Sequence, residues 1–582
     1  MNIISRLERA TLAHPDKPAL IFFSPSDKKW ETLTYRQLAD STERFVAGLL
    51  NCGVAPGMTA ALLTPPSADF FALAFAMLKV GVVPIILDPA IGLKKVGECL
   101  AEAKPDIFIG NTITHFLRRI LRWGRNTVKY NLTLGAVKSR RSKVDSLITD
   151  YSSLITDFPA AILYTSGSTG IPKGVLFTHG NLSAQLDMLV ETFHISPDEV
   201  DLPAFPLYAL IDVLLGVTSV IPDISFPVPG KTDPAKVIQA IQRFSVTNMF
   251  ASPVVLDILS KWWSRYGGGG RVASKRRIET RRLLDHRLPS LKRVITAGAP
   301  ATIQLQQDFR KLLNDETDLF GIYGATEVLP IAKVESREIF EVREKSAKGA
   351  GVCLGRPVNG ARVRVIGISE SAIERFSEST NQRFSEEVEP NVVGEITVQG
   401  GAVTERYIVR EEANRLSKIQ HENGIIHRMG DVGYFDDEGR LWYCGRKSHR
   451  VITKDDVLFT EQIEGIFNVH PLVYRTALVG VRHGVESASA DFHELSQDFS
   501  PPRPVLWVEL QKGVRANKDT IKCELMDLAK DHPQAAKIKD FLFMKKFPTD
   551  VRHNSKIIRE ELAELAKRQL PITNYQLPVN HP

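Results

Sequence analysis

The chain has 582 residues, 43% hydrophobic and 24% charged. These are globular proportions on a length beyond one ordinary core, so two or more domains are expected. Its five cysteines (Cys52, Cys99, Cys353, Cys444 and Cys523) form no C-x-x-C pair, which argues against a disulfide frame or a zinc site and fits a reducing, cytoplasmic setting. The net charge of +7 is local: residues 107–144 hold nine Lys/Arg and no Asp/Glu, and without them the balance is −2, so no nucleic-acid partner is expected.

In chain order, "MNIISRLERATLAHPDKPAL" places charges too early for a signal peptide. The apolar region from Phe70 to Leu93 is interrupted by Lys79, Pro84, Asp88 and Pro89, and reads as a buried helix followed by a strand rather than a membrane span. "AALLTP" (60–65) and "VVPIILDP" (82–89) are strand-like and flank the helical "SADFFALAFAMLKVG". Strand, helix, strand at this spacing predicts a mostly parallel sheet. The stretch "FLRRILRWGR" (116–125) joins apolar residues to four arginines. It fits a surface helix with its apolar face in the core, an interfacial helix on anionic lipid, or a docking element for a partner enzyme. Residues 133–153 lose the pattern and predict an exposed connector. "AAILYT" (160–165) is a strand leading into "YTSGSTGIPKG" (164–174). "VTNMFASP" (246–253) and "LKRVITAGAP" (291–300) repeat the strand and small-residue turn, while "YGGGGRVASKRRIETRR" (266–282) predicts a surface insertion. After Val352 short β-like runs dominate, with a hairpin turn at Asp437-Glu438-Gly439. From about Lys447 a smaller α/β segment begins, with "RTALVGV" and "RPVLWVEL" as strands.

The loop at 164–174 has the composition of a phosphate cradle, although Gly174 follows Lys173 where a Walker A loop requires Ser or Thr. By itself it also fits a plain strand-to-helix turn. Downstream come "AGAP" (297–300), "YGATE" (323–327), "MGDVGYFDDEGRLWYCGRKSHRVI" (429–452) and "FPTDVRHNSKIIRE" (547–560). Their order and spacing resemble the adenylate-forming superfamily of acyl-CoA synthetases, peptide-synthetase adenylation domains and luciferases, across essentially the whole chain.

That resemblance implies an α/β fold. A large N-terminal domain (1–446) with parallel-rich sheets and a β-rich subdomain would bind ATP and the acyl substrate. A small mobile C-terminal α/β domain (447–582) would complete the chain. ATP and Mg²⁺ are the implied cofactors. Thr165, Ser166, Gly167, Ser168, Thr169, Gly170 and Lys173 would surround the β- and γ-phosphates, with backbone N–H groups and hydroxyls as donors. Gly298, Ala299 and Pro300 would line the adenine side, Tyr323 would stack on the base, and Gly324 and Ala325 would border the nucleotide beside it. Thr326 would contact the α-phosphate, and Glu327 would hold Mg²⁺ as a hard oxygen ligand. Asp431 would bind the ribose hydroxyls and Arg446 the ribose or phosphate. Lys556 would bridge the attacking carboxylate and the α-phosphate, where charge grows in the transition state.

Three departures concern the fate of the adenylate. In "FPLYALID" (205–212), Ala209 stands where many acyl-CoA ligases have a tunnel-gating histidine. Ser448 holds the hinge position, and the run 451–464 lacks the glycine of the usual coenzyme A loop. These variants resemble the olefin β-lactone synthetase branch, in which a 2-alkyl-3-hydroxy fatty acid is adenylated and its own hydroxyl then closes the lactone. A long-chain fatty-acid–CoA ligase is the alternative. Phe205, Tyr208, Ala209, Asp212 and Ser252 are the candidate acyl-pocket residues. Asp212, His449 and His553 are candidate bases, each also readable as a plain surface or hinge residue. A lipid-like acid and enzymes of the same pathway are the implied partners.

Overall fold

The computed structural model describes residues 2–24, 28–88, 91–139, 156–165, 172–224, 228–266, 288–368, 386–482, 501–549 and 556–570. The fold is mixed α/β with two large parallel-rich sheets. In the first, the strand order is Arg406–Tyr407, Gly174–Thr178, Pro159–Tyr164, Val83–Ile86, Thr59–Leu63, Ile107–Gly110 and Tyr130–Leu132. The last five run parallel. The helix Ala68–Val80 connects two of them as expected. Ten of its thirteen residues are buried, so it is a core helix apolar on all sides. Ser67 caps its start by accepting from the Phe70 N–H, and Gly81, at φ +73°, ends it.

The second sheet has nine strands: Arg356–Pro357, Val328–Glu335, Asp318–Ala325, Arg293–Thr296, Asn248–Ala251, Val200–Pro203, Thr218–Ile221, Pro18–Ser24 and Lys29–Thr34. Its central strands are parallel, so their carboxyl ends share one edge, the customary place for a ligand in such sheets. Phe205, Ser252 and Gly298–Pro300 all lie just beyond those ends.

A third, antiparallel sheet contains Arg362–Ile366, Gly394–Gln399, Ile426–Phe435 and Leu441–Arg446. The hairpin turn falls where expected. Asp436 organises it by accepting from the Glu438 and Arg440 N–H groups, the Arg440 guanidinium and the Trp442 indole. Beyond Arg446 come a small hairpin (Val451–Ile452 with Val457–Leu458) and a sheet of Val473–Val481, Arg503–Leu510 and Asp540–Met544. Thr460–Phe467, Lys518–Ala529 and Arg559–Gln569 are the helices of this part.

Two expectations change and one alternative reading falls. The phosphate-loop candidate is not a strand-to-helix turn. It joins two antiparallel strands, Pro159–Tyr164 and Gly174–Thr178. Part of the expected connector, Leu134–Ser139, is helical, and Val137 is buried beneath the helix Tyr35–Asn51. The contact is backbone-close: a Cβ on Gly48 would sit 2.1 Å from the Val137 carbonyl oxygen. Finally, the helix Thr112–Leu121 does not bury its whole apolar side (Ile113, Phe116 and Ile120 face outward). Of the expected insertion at 266–282, all but Tyr266 lies outside the described residues.

Candidate active site

The neck of the loop is closed by its own residues. The Thr165 N–H donates to the Lys173 carbonyl at 3.0 Å, and the Lys173 N–H donates to Thr165 Oγ1 at 3.1 Å. Ser166, Gly167, Ser168, Thr169 and Gly170 lie outside the described residues, as does His553. The Lys173 ammonium stands 4.9 Å from the centre of the Tyr407 ring.

Tyr407 belongs to the two-residue strand that pairs with Gly174–Thr178. Its hydroxyl donates to Glu327 Oε1 at 2.6 Å. Glu327 sits in the tight turn between Asp318–Ala325 and Val328–Glu335, beside Thr326. The Thr404 N–H and hydroxyl both donate to the Glu327 carbonyl, and Lys418 donates to Thr404. Burial opposes ionisation of Glu327, but His427, the Tyr407 hydroxyl and Lys418 outweigh it and hold the carboxyl below its ordinary value. Burial pushes His427 itself down to about 4, so near neutrality Tyr407 and Lys418 are the groups that keep Glu327 anionic. Burial also lowers Lys418, to about 8.

Among the described residues no cluster of three acidic, His or Cys side chains stands ready for a metal. A single anionic carboxylate is nevertheless what Mg²⁺ commonly uses when substrate phosphates and water complete its shell. Glu327 fits that demand.

Asp431 and Arg446 are cross-strand partners in the antiparallel sheet, with Arg446 Nε 3.1 Å from Asp431 Oδ1. The Tyr323 hydroxyl donates to Asp431 Oδ2 at 2.6 Å. Burial raises the Asp431 carboxyl, against the pull of Arg446, the Tyr323 hydrogen bond and the Lys556 ammonium. Lys556, expected from a motif 125 residues downstream of Asp431, is thus within electrostatic reach of it. Asp431 Oδ1 has no aligned hydrogen-bond donor, and neither the Ser252 nor the Thr296 hydroxyl has a partner. Ser252 and Thr296 lie at the carboxyl ends of parallel strands, whereas Asp431 comes from the antiparallel sheet; buried polar atoms left in this state are suited to a ligand. Gly298 and Pro300 are exposed beside them, with Ala299 half-buried. Gly324 and Ala325 belong to the strand that carries Tyr323.

The acyl-pocket candidates separate. Tyr208 stacks on Phe250 at 4.1 Å and meets Phe205 edge-on at 5.7 Å, which forms an aromatic wall near Ser252. Ala209 is fully buried in the core. Asp212 points elsewhere: it accepts from the Ser219 hydroxyl at 2.6 Å and hydrogen-bonds Asp201, so the structure does not bring it to Tyr323 and Asp431. His449, the second base candidate, lies 3.4 Å from Glu560 in the turn after Arg446.

Tyr407, Lys418 and His427 carry no signal in the sequence. They come from three separate strands, and only their common proximity to Glu327 reveals them.

A family model described as AMP-binding enzyme matches residues 7–408. An olefin beta-lactone synthetase of Xanthomonas campestris pv. campestris is 39% identical over 554 residues, 92% of this chain and 91% of that protein. An olefin beta-lactone synthetase of Stenotrophomonas maltophilia is 38% identical, over 93% of this chain and 92% of its own. A solved structure of O-succinylbenzoate coenzyme A synthetase from Bacillus subtilis, in complex with ATP and magnesium ion, superposes with a TM-score of 0.69. It is 20% identical, and the match covers 96% of this chain and 98% of that one.

Proposed function

Because the chain belongs to the AMP-binding enzyme family and is an adenylate-forming ligase, we propose that it activates a long-chain 2-alkyl-3-hydroxy acid and closes it to a β-lactone. The substrate carboxylate attacks the α-phosphorus of ATP, and pyrophosphate leaves. The 3-hydroxyl of the resulting acyl-adenylate then attacks its own acyl carbonyl, releasing AMP and a proton. Holding hydroxyl and carbonyl together offsets the strain of the four-membered ring.

The observation that carries the proposal is the convergence of Tyr323, Asp431, Arg446 and Lys556, with a buried Asp431 oxygen left for a donor. In this reading Asp431 Oδ1 accepts from a ribose hydroxyl, Tyr323 flanks adenine and Arg446 faces the ribose or phosphate. Thr326 and Lys556 meet the α-phosphate. Residues 447–582 form the mobile domain that delivers Lys556. The loop from Thr165 to Lys173 holds the outer phosphates. Mg²⁺, held by Glu327, would neutralise charge on those phosphates. Glu327 is kept ionised for this by Tyr407 and Lys418.

Formation of a lactone rather than a thioester is supported by the kinship with olefin beta-lactone synthetases. Ala209, packed in the core, also leaves no imidazole at the position that gates the thiol tunnel in coenzyme A ligases. The test is incubation with ATP, Mg²⁺ and a 2-alkyl-3-hydroxy acid, with and without coenzyme A, and then product identification. Lactone and AMP are expected without coenzyme A. Lys556→Ala is expected to lower adenylate formation, read by pyrophosphate exchange into ATP, by about 10²–10³-fold. A thioester formed only with coenzyme A would overturn the lactone reading and leave the adenylation reading intact.

A further inference from the structure

The helix Thr112–Leu121 has two unlike sides. Inward, Leu117 packs on the cluster that contains Phe108 and Trp123. The Arg118 guanidinium lies 5.5 Å over the Phe108 ring, and His115 Nε2 meets the Leu132 carbonyl at 2.9 Å. Outward, Ile113, Phe116, Ile120 and Leu121 are 68%, 62%, 60% and 41% exposed. Eleven large hydrophobic side chains are exposed among the described residues, and four of them belong to this ten-residue helix. At 3.6 residues per turn, Ile113, Phe116 and Ile120 fall within about 60° of one another, so they form one stripe. Most of their surface is left uncovered by the described residues.

The charge around the stripe has one sign. Arg119, Arg122 and Arg125 are exposed, and none makes an ion pair among the described residues, whereas Lys129 and Lys138 are matched by Asp106 and Asp69. Residues 107–144 contain no acid at all. An apolar stripe flanked by unmatched arginines suits a surface that is greasy and anionic together. We propose that this helix docks the protein on anionic phospholipid bilayers, with Ile113, Phe116 and Ile120 entering the acyl boundary and the arginines meeting phosphate groups. The helix lies at the sheet edge opposite the strand that holds Tyr407, so docking leaves the Glu327 side of the molecule clear of the bilayer.

Cosedimentation with phosphatidylcholine vesicles, with and without phosphatidylglycerol, tests this at low and high salt. The full-length protein is expected to bind the anionic vesicles, more weakly as salt rises. Each arginine replaced in Arg119→Gln/Arg122→Gln is expected to lower the partition coefficient about fivefold. Ile113→Glu/Phe116→Glu/Ile120→Glu is expected to abolish binding with unchanged melting temperature and pyrophosphate exchange, because these side chains touch neither core nor site. Three outcomes overturn the proposal: no binding to anionic vesicles, equal binding by the glutamate variant, or a wild-type oligomer that the glutamate variant dissociates. The last would show that the stripe is covered by a second protein surface. None of these readouts depends on the identity of the acid substrate.

Discussion

Asp212 and Asp201 share a buried site in which two ionised carboxylates would repel without water to screen them. Burial pushes both upward, Asp201 to about 7 and Asp212 well above its ordinary value; Asp201 raises Asp212 further, while their hydrogen bond pulls Asp201 back down. At least one proton is therefore retained by the folded protein and lost from the unfolded chain at neutral pH. Because the folded state binds more protons than the unfolded one, stability from this pair is full below about pH 4 and falls as pH rises toward and through about 7. Asp212→Asn keeps a neutral partner for Asp201 without the proton. Its melting temperature is expected to fall less than wild type's between about pH 4 and pH 8. Parallel curves would contradict the shared proton. A group committed to this bond is unsuited as a base for the lactone-forming hydroxyl.

The helix Leu134–Ser139 and the helix Tyr35–Asn51 meet backbone to backbone, and Gly48 is the residue that permits it. Gly48→Ala forces the shorter helix outward. A loss of about 1–3 kcal/mol is expected, read as a lower melting temperature with pyrophosphate exchange retained. An unchanged midpoint would mean that the contact is not maintained in solution. The same helix shows where sequence reading stops. Strands such as Thr59–Leu63 and Val83–Ile86, and the helix Ala68–Val80, announce themselves because near-complete burial demands apolar runs. Leu134–Ser139 buries chiefly Val137, too little to impose a period. The run after Lys173 does not declare itself a return strand, since antiparallel pairing is a long-range choice that "GVLFT" does not encode locally. Within the candidate site, Asp431 and Arg446 are readable through the resemblance because one contiguous motif carries both, and its hairpin sets them opposite each other. Tyr407, Lys418 and His427 are not, because three strands must assemble before they surround Glu327.

Across the whole molecule, the part that carries Lys556 is tied back to the rest at the proposed hinge. Lys447 Nζ lies 3.0 Å from Glu395 Oε2, and Arg428 grips the same carboxylate through its Nε at 3.1 Å. Glu395 is buried and both cations are nearly so, which makes the contact a stronger restraint than a surface ion pair. Lys447→Met frees the turn at Lys447–His449 and leaves Glu395 satisfied by Arg428. Tryptic cleavage after Arg450 is expected to accelerate several-fold, with little change in melting temperature. Equal cleavage rates would show that Lys447 does not restrain the turn.

The two-residue strand Arg406–Tyr407 joins parts that are distant in sequence. One side zips onto Gly174–Thr178, with the Ile408 N–H adding a bond to the Gly174 carbonyl, and the other delivers the hydroxyl that holds Glu327. The loop after Tyr164 and the carboxylate at Glu327 thus share one mechanical anchor. A chimera that borrows only the loop from a relative would inherit a mismatched anchor unless residues 404–408 are exchanged with it.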